Sequence, residues 1–201
     1  CFVTSCDPSL ELSEKIINSL PSYGADIIEI GIPFSDPMAD GPTIQRSSLR
    51  AIKSKSNISK KFKIIKNFRK KDKTTPIILM GYFNPIFQFG LNNFFSQGRI
   101  VGVDGVIIVD LPPEEEQEFT VFADKVDLSL IKLTSPTTNN ERAERVLENS
   151  SGFVYYISIA GITGTKSAMF DNVKAGCDVI KGKTNLPVYV GFGINNPEQA
   201  A

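Results

Sequence analysis

Short apolar runs rich in β-branched residues alternate with longer amphipathic stretches from one end of the sequence to the other. The runs Phe2–Thr4, Ile27–Ile30, Ile77–Met80, Gly105–Val109, Ser129–Leu133, Phe153–Ile157 and Val188–Gly191 are too short for helices and predict buried strands. Helical spacing of apolar residues predicts helices over Leu10–Ser22, Thr43–Lys53, Ser59–Lys70, Leu91–Gln97, Pro113–Ala123, Asn140–Asn149 and Phe170–Lys181, with another opening at Asn196-Pro197-Glu198. Ser9 and Asn139 have the side chains of N-caps, and Pro197 suits a first helical turn.

Strand then helix, repeated along one uninterrupted domain over residues 1–201, implies parallel pairing with right-handed crossovers. An open dinucleotide-binding sheet would carry G-x-G-x-x-G after its first strand, whereas Ser5-Cys6-Asp7-Pro8 stands there. A (β/α)8 TIM barrel places functional groups at the C-terminal ends of many strands. Glu29, Tyr82, Asp110, Thr134 and Tyr155 all fall at or near such ends, which favours the barrel. Seven strands are visible, so the eighth βα unit is expected beyond Ala201.

Composition removes chemistry rather than adding it. The chain contains no histidine, which excludes a Ser-His-Asp triad and a His-ligated metal. The cysteines Cys1, Cys6 and Cys177 are odd in number and widely spaced, giving neither a disulfide framework nor a metal-ligand pattern. Net charge is +0, and the basic run Lys60–Lys73 carries Phe62, Ile65 and Phe68 at helical spacing, so it reads as a solvated helix face and not a nucleic-acid site. No apolar stretch is long enough for a membrane span. Lysine outnumbers arginine 16 to 6 and Ile and Asn are abundant, which is consistent with AT-rich coding; a cytoplasmic or plastid-stroma location is expected.

Acid–base chemistry therefore falls to carboxylates, tyrosines or lysines. In the second strand Ile28 and Ile30 would face the helices, leaving Ile27 and Glu29 inward. A carboxylate at an apolar barrel mouth has a raised pKa and can shuttle protons near neutrality, unless it turns to water or pairs with a lysine. The loop Ile32–Pro42, with three prolines and two aspartates, hangs over the same mouth. Asp40 is either within reach of a ligand that Glu29 also touches or a turn residue before Gly41-Pro42. Ala160-Gly161-Ile162-Thr163-Gly164-Thr165 and Gly191-Phe192-Gly193 are loop glycines that serve either an anion or ordinary turns. Phe192, between two glycines, suggests an apolar wall for a ring-shaped substrate.

The stretch Glu29-Ile30-Gly31-Ile32-Pro33-Phe34-Ser35-Asp36-Pro37-Met38-Ala39-Asp40-Gly41-Pro42 resembles the long signature of the tryptophan synthase α subunit family. Phe2-Val3-Thr4 with Asp7-Pro8, Tyr82-Phe83-Asn84-Pro85, Asp110-Leu111-Pro112, Tyr155 through Gly164, and Gly191-Phe192-Gly193 resemble its other strand ends in order. The resemblance implies retro-aldol cleavage of indole-3-glycerol phosphate to indole and glyceraldehyde 3-phosphate, with no cofactor in this subunit and no metal. It implies Glu29 as the proton-transfer residue, Asp40 as the carboxylate on the indole N–H and Tyr155 as an auxiliary. Phe2, Met80 and Phe192 would wall the indole, Tyr82 would also bind substrate, Gly164 and Gly193 would give backbone N–H groups to the phosphate, and Thr163 would help order its mobile loop when substrate binds. The implied partner is a β subunit carrying pyridoxal phosphate, in an α2β2 complex, contacted through Asp7, Pro8, Pro33, Asp36, Pro37, Asn84 and Pro112.

Two departures stand out. Ile159 occupies a position where many bacterial members have arginine, and the eighth strand's Gly-Ser pair and the helix before the first strand are missing from this chain. Sugar-phosphate epimerases need metal-binding histidines, and indole-glycerol-phosphate synthase needs a catalytic lysine at a strand end, for which Lys132 is the sole strand-borne candidate. A catalytically silent barrel that activates a β subunit is the remaining alternative, and it would be signalled by loss of Glu29 or Asp40, both of which are present.

Overall fold

The computed structural model describes residues 1–158, 170–192, 194 and 197. In order, the elements are β1 (Phe2–Thr4), α1 (Leu10–Ser19), β2 (Ile28–Gly31), α2 (Pro42–Lys53), α3 (Ile58–Phe68) and β3 (Ile77–Gly81). They continue with α4 (Phe83–Phe89), α5 (Leu91–Val101), β4 (Gly105–Ile108), α6 (Gln117–Lys125), β5 (Ser129–Leu130) and β6 (Lys132–Thr134). The last are α7 (Asn140–Glu148), β7 (Val154–Ile157), α8 (Phe170–Lys181) and β8 (Val188–Gly191). Neighbouring strands pair in parallel and in chain order, β1 through β5 and β6 through β8. β5 and β6 form one strand interrupted at Ile131, whose N–H still reaches the Val106 carbonyl at 2.9 Å. The wall is thus continuous from β1 to β8, as in a (β/α) barrel.

The period-2 alternation of β2 partitions two cores. Ile28 and Ile30 are fully buried against α1, α3 and their neighbours, within a cluster that includes Ile17, Phe62, Ile65 and Phe68. The opposite face of the wall builds a second cluster of Ile78, Met80, Ile107, Ile131, Phe153 and Tyr155, with Ile27 and Phe192 packed against it. Glu29 sits half-buried between Ile28 and Ile30, on the inward side that alternation predicts.

Boundaries shift where turn chemistry intervenes. Ser9 caps α1 by accepting the Leu12 N–H, and Asn139 caps α7 by accepting the Arg142 N–H. The first helix ends at Ser19 and tightens into a 3-10 turn over Leu20–Tyr23 around Pro21, short of the expected Ser22. The helix expected over Pro113–Ala123 is a 3-10 turn, Pro113–Glu115, followed by α6. The helix expected over Leu91–Gln97 runs on to Val101, and α4 lies where sequence spacing predicts no helix. Of the helix expected from Asn196, only Pro197 is among the described residues.

Lys132, buried on the outer face of β6, pairs with Glu116, whose other carboxylate oxygen accepts from Asn149 Nδ2 at 3.2 Å. This arrangement removes it from the barrel mouth and from any role as a strand-end lysine.

Candidate active site

The strand ends converge as the sequence predicts, because register stacks them. Phe2 lies beside Glu29, which lies beside Ile78; Gly31 lies beside Met80. Gly31 leaves room there for the Phe2 ring: a Cβ on it would come within 2.5 Å of the ring's far end, so the ring would have to shift. A cleft at the mouth brings together Phe2, Asp40, Met80 and Tyr82, with Val109 and Ile44 completing the wall. Phe2 and Met80, two of the residues assigned to the ring end of a substrate, therefore share one space with Asp40, while Phe192 packs beside Tyr155.

Asp40 is half-buried. Burial pushes its carboxyl above the ordinary value, and a hydrogen bond from the Tyr82 side chain acts the other way. The Tyr82 hydroxyl also accepts the Ala39 N–H at 3.1 Å, and its ring packs on Phe34 at 5.5 Å. Asp40 N–H turns back onto the Pro37 carbonyl, 3.1 Å away, so the loop does make a turn there. The turn leaves Asp40 on the lining of the cleft.

Glu29 is raised above the ordinary carboxylate value by desolvation on burial. Tyr155 is raised by burial and by the nearby Glu29 carboxylate. It meets Phe192 edge-on at 6.1 Å. Phe192 itself is half-buried with φ 70°, a left-handed conformation uncommon for an aromatic residue. Gly191 has a role that loop-glycine reasoning missed: a Cβ there would collide with the Tyr155 hydroxyl. The signal lay in the Gly191-Phe192-Gly193 run, which suggested anion approach, not space for a neighbouring ring.

The mouth thus holds an upper half, Asp40 with Tyr82, and an inner half, Glu29 with Tyr155. Both carboxyls are pushed towards holding a proton nearer neutrality. Among the described residues, no three His, Cys, Asp or Glu side chains converge as a metal centre requires. Thr163, Gly164, Gly193 and Ile159 lie outside the described residues.

The residues assigned to a partner surface ring this mouth. Pro8, Asp36, Asn84 and Pro112 are exposed, while Pro33 and Pro37 are half-buried. Asp7 is engaged internally by a two-bond fork from Arg50, at 2.7 and 2.8 Å. No helix among the described residues is long and apolar enough to cross a membrane.

A family model described as "Tryptophan synthase alpha chain" matches residues 1–201. A tryptophan synthase alpha chain structure from Legionella pneumophila subsp. pneumophila is 42% identical with a TM-score of 0.89, covering 100% of this chain and 72% of that one. A structure described for mutual activation of the tryptophan synthase a2b2 complex of Pyrococcus furiosus is 36% identical with a TM-score of 0.88, covering 98% and 78%. A Mycobacterium tuberculosis tryptophan synthase is 29% identical with a TM-score of 0.90, covering 99% and 76%.

Proposed function

The chain belongs to the tryptophan synthase α chain family, TIM-barrel lyases of tryptophan biosynthesis, and from that premise we propose that Glu29 and Asp40 carry out the cleavage of indole-3-glycerol phosphate. The observation that carries the residue assignment is the pair of half-buried carboxyls at one barrel mouth, both raised by desolvation.

A raised carboxyl is a competent acid near neutrality. Glu29, protonated, delivers its proton to indole C3. Asp40, as the carboxylate, accepts the indole N–H and stabilises the positive charge that develops on the ring; Tyr82 partly offsets the desolvation that works against its ionised form. The Glu29 carboxylate then removes the proton of the glycerol hydroxyl. The bond from indole C3 to the side chain breaks, its electron pair returns to the ring, and indole and glyceraldehyde 3-phosphate leave with Glu29 again protonated. Tyr155, beside Glu29, adds an apolar wall with a neutral hydroxyl. Phe2, Met80 and Phe192 wall the ring, Gly164 and Gly193 are assigned to the phosphate, and Thr163 to the ordering of its loop when substrate binds.

The reading extends to a β subunit that holds pyridoxal phosphate and receives the indole. Support comes from the a2b2 complex named for the Pyrococcus furiosus relative and from the exposed rim residues Asp36, Asn84 and Pro112. The test is indole release from indole-3-glycerol phosphate, with and without the β subunit. Equimolar indole and glyceraldehyde 3-phosphate are expected. Absence of both products in both conditions would favour the silent, activating barrel.

A further inference from the structure

Asp40 has little of its own to fix its direction. It sits in the Pro-rich loop after β2, outside any ladder, with its own N–H spent on Pro37. Among the described residues, what holds this part of the loop from outside is Tyr82, whose hydroxyl accepts from the N–H of Ala39, the residue before Asp40, at 3.1 Å; Tyr82 and Asp40 line the same cleft. Tyr82 in turn is aimed by the backbone where β3 gives way to α4. That junction is short of internal bonds. The first N–H groups of a helix have no partner within it, and α4 carries Pro85 in its first turn.

The Phe83 N–H finds its acceptor across the mouth, in the Asp110 carboxylate after β4, at 2.6 Å. A bond this short from an N–H to a carboxylate is charge-assisted, and it sits at the positive end of α4. Asp110 is half-buried and otherwise has no part in the proton transfers described above. We infer that Asp110 is a positioning residue for the cleavage: by holding the Phe83 N–H, it fixes the end of β3 so that the Tyr82 hydroxyl stays on the Ala39 N–H and the loop keeps the Asp40 side chain in the cleft. The linkage ties the loops after β2, β3 and β4 into one unit through side chains. Backbone bonds tie the same strand ends below it, from Ile32 N–H to Met80 at 2.7 Å and from Val109 N–H to Gly81 at 2.9 Å.

This inference rests on Asp40 being the working carboxylate. The test measures kcat and KM for indole release by the full-length protein with its β subunit, in Asp110→Ala, Asp110→Asn, Tyr82→Phe and Asp110→Ala/Tyr82→Phe. Asp110→Ala is expected to lower kcat about tenfold with KM within about twofold, the loss of one aligned hydrogen bond in the transition state. Asp110→Asn keeps an oxygen acceptor for the Phe83 N–H and is expected to restore most of kcat. The double variant is expected to be little slower than Tyr82→Phe alone, because both changes cut one linkage. Additive losses, an Asp110→Asn as slow as Asp110→Ala, or a wild-type kcat in Asp110→Ala would each overturn the inference. Should Asp110→Ala fail to fold, Asp110→Ser, too short to reach, takes its place in the same comparison. Full activity in Asp40→Asn would instead remove the reading of Asp40 itself, and the two failures are therefore distinct.

Discussion

At Glu29 the desolvation that suits the carboxyl to proton transfer also works against folding. Its pKa is raised in the native state above the ordinary 4.5. Between the unfolded and native values the native state binds more protons, so stability is full below that window and falls as pH rises through it. Glu29→Gln stays neutral throughout. Thermal melts should show the variant with a higher Tm than the parent above the window and little difference below it; an equal shift on both sides would contradict the burial argument. Gly191 makes the companion case for space. Gly191→Ala pushes a methyl into the Tyr155 hydroxyl and should cost about 1–3 kcal/mol by overpacking, read as a lower denaturant midpoint with a loss of indole release. Neither effect was fully legible beforehand. The inward position of Glu29 followed from strand alternation, whereas the need for Gly191 depends on the Tyr155 ring reaching it diagonally across the ladder, Ile157 being its register partner.

Among the elements, the fifth strand joins β4 to β7 and carries a charge into the helix layer. Lys132 and Glu116 are almost fully buried, with side chains 9% and 4% exposed. Desolvation lowers the lysine against the opposing pull of Glu116. Breaking such a pair leaves one uncompensated charge, so Glu116→Ala should destabilise by about 3–5 kcal/mol, while replacing both partners by apolar residues of similar size should be near neutral or stabilising. Equilibrium unfolding of the single and double variants checks this. Apolar periodicity placed the strands and most helices well, because burial on both faces leaves continuous β-branched runs. It missed α4, which is only 7 residues long and carries Pro85 in its first turn. A proline in the first helical turn forfeits no internal bond, and the Asp110 carboxylate supplies the acceptor from a distant loop. Local spacing carries no information about that bond.

For the whole molecule, the wall runs in chain order from β1 to β8, and one mouth gathers both the carboxyls and the exposed rim assigned to the partner. The architecture was readable from alternation, and the assignment of Glu29 and Asp40 was drawn from the run Glu29–Pro42. The contact of Tyr82 with Ala39, next to Asp40, was not readable, because it joins residues of separate loops. If the rim receives a β subunit, Asn84→Arg, an exposed change on α4, should weaken the complex about tenfold, near 1.4 kcal/mol. Indole release by the α chain alone should stay at the parent rate. Titration calorimetry with the β subunit measures this, and unchanged affinity would move the interface elsewhere.

The central claim is that Glu29 moves the protons of the cleavage. Single-turnover release of indole from indole-3-glycerol phosphate by Glu29→Gln, confirmed folded by circular dichroism, tests it most directly. A rate reduced by about 10²- to 10⁴-fold is expected for the loss of a general acid–base; a rate within about threefold of the parent would contradict the account.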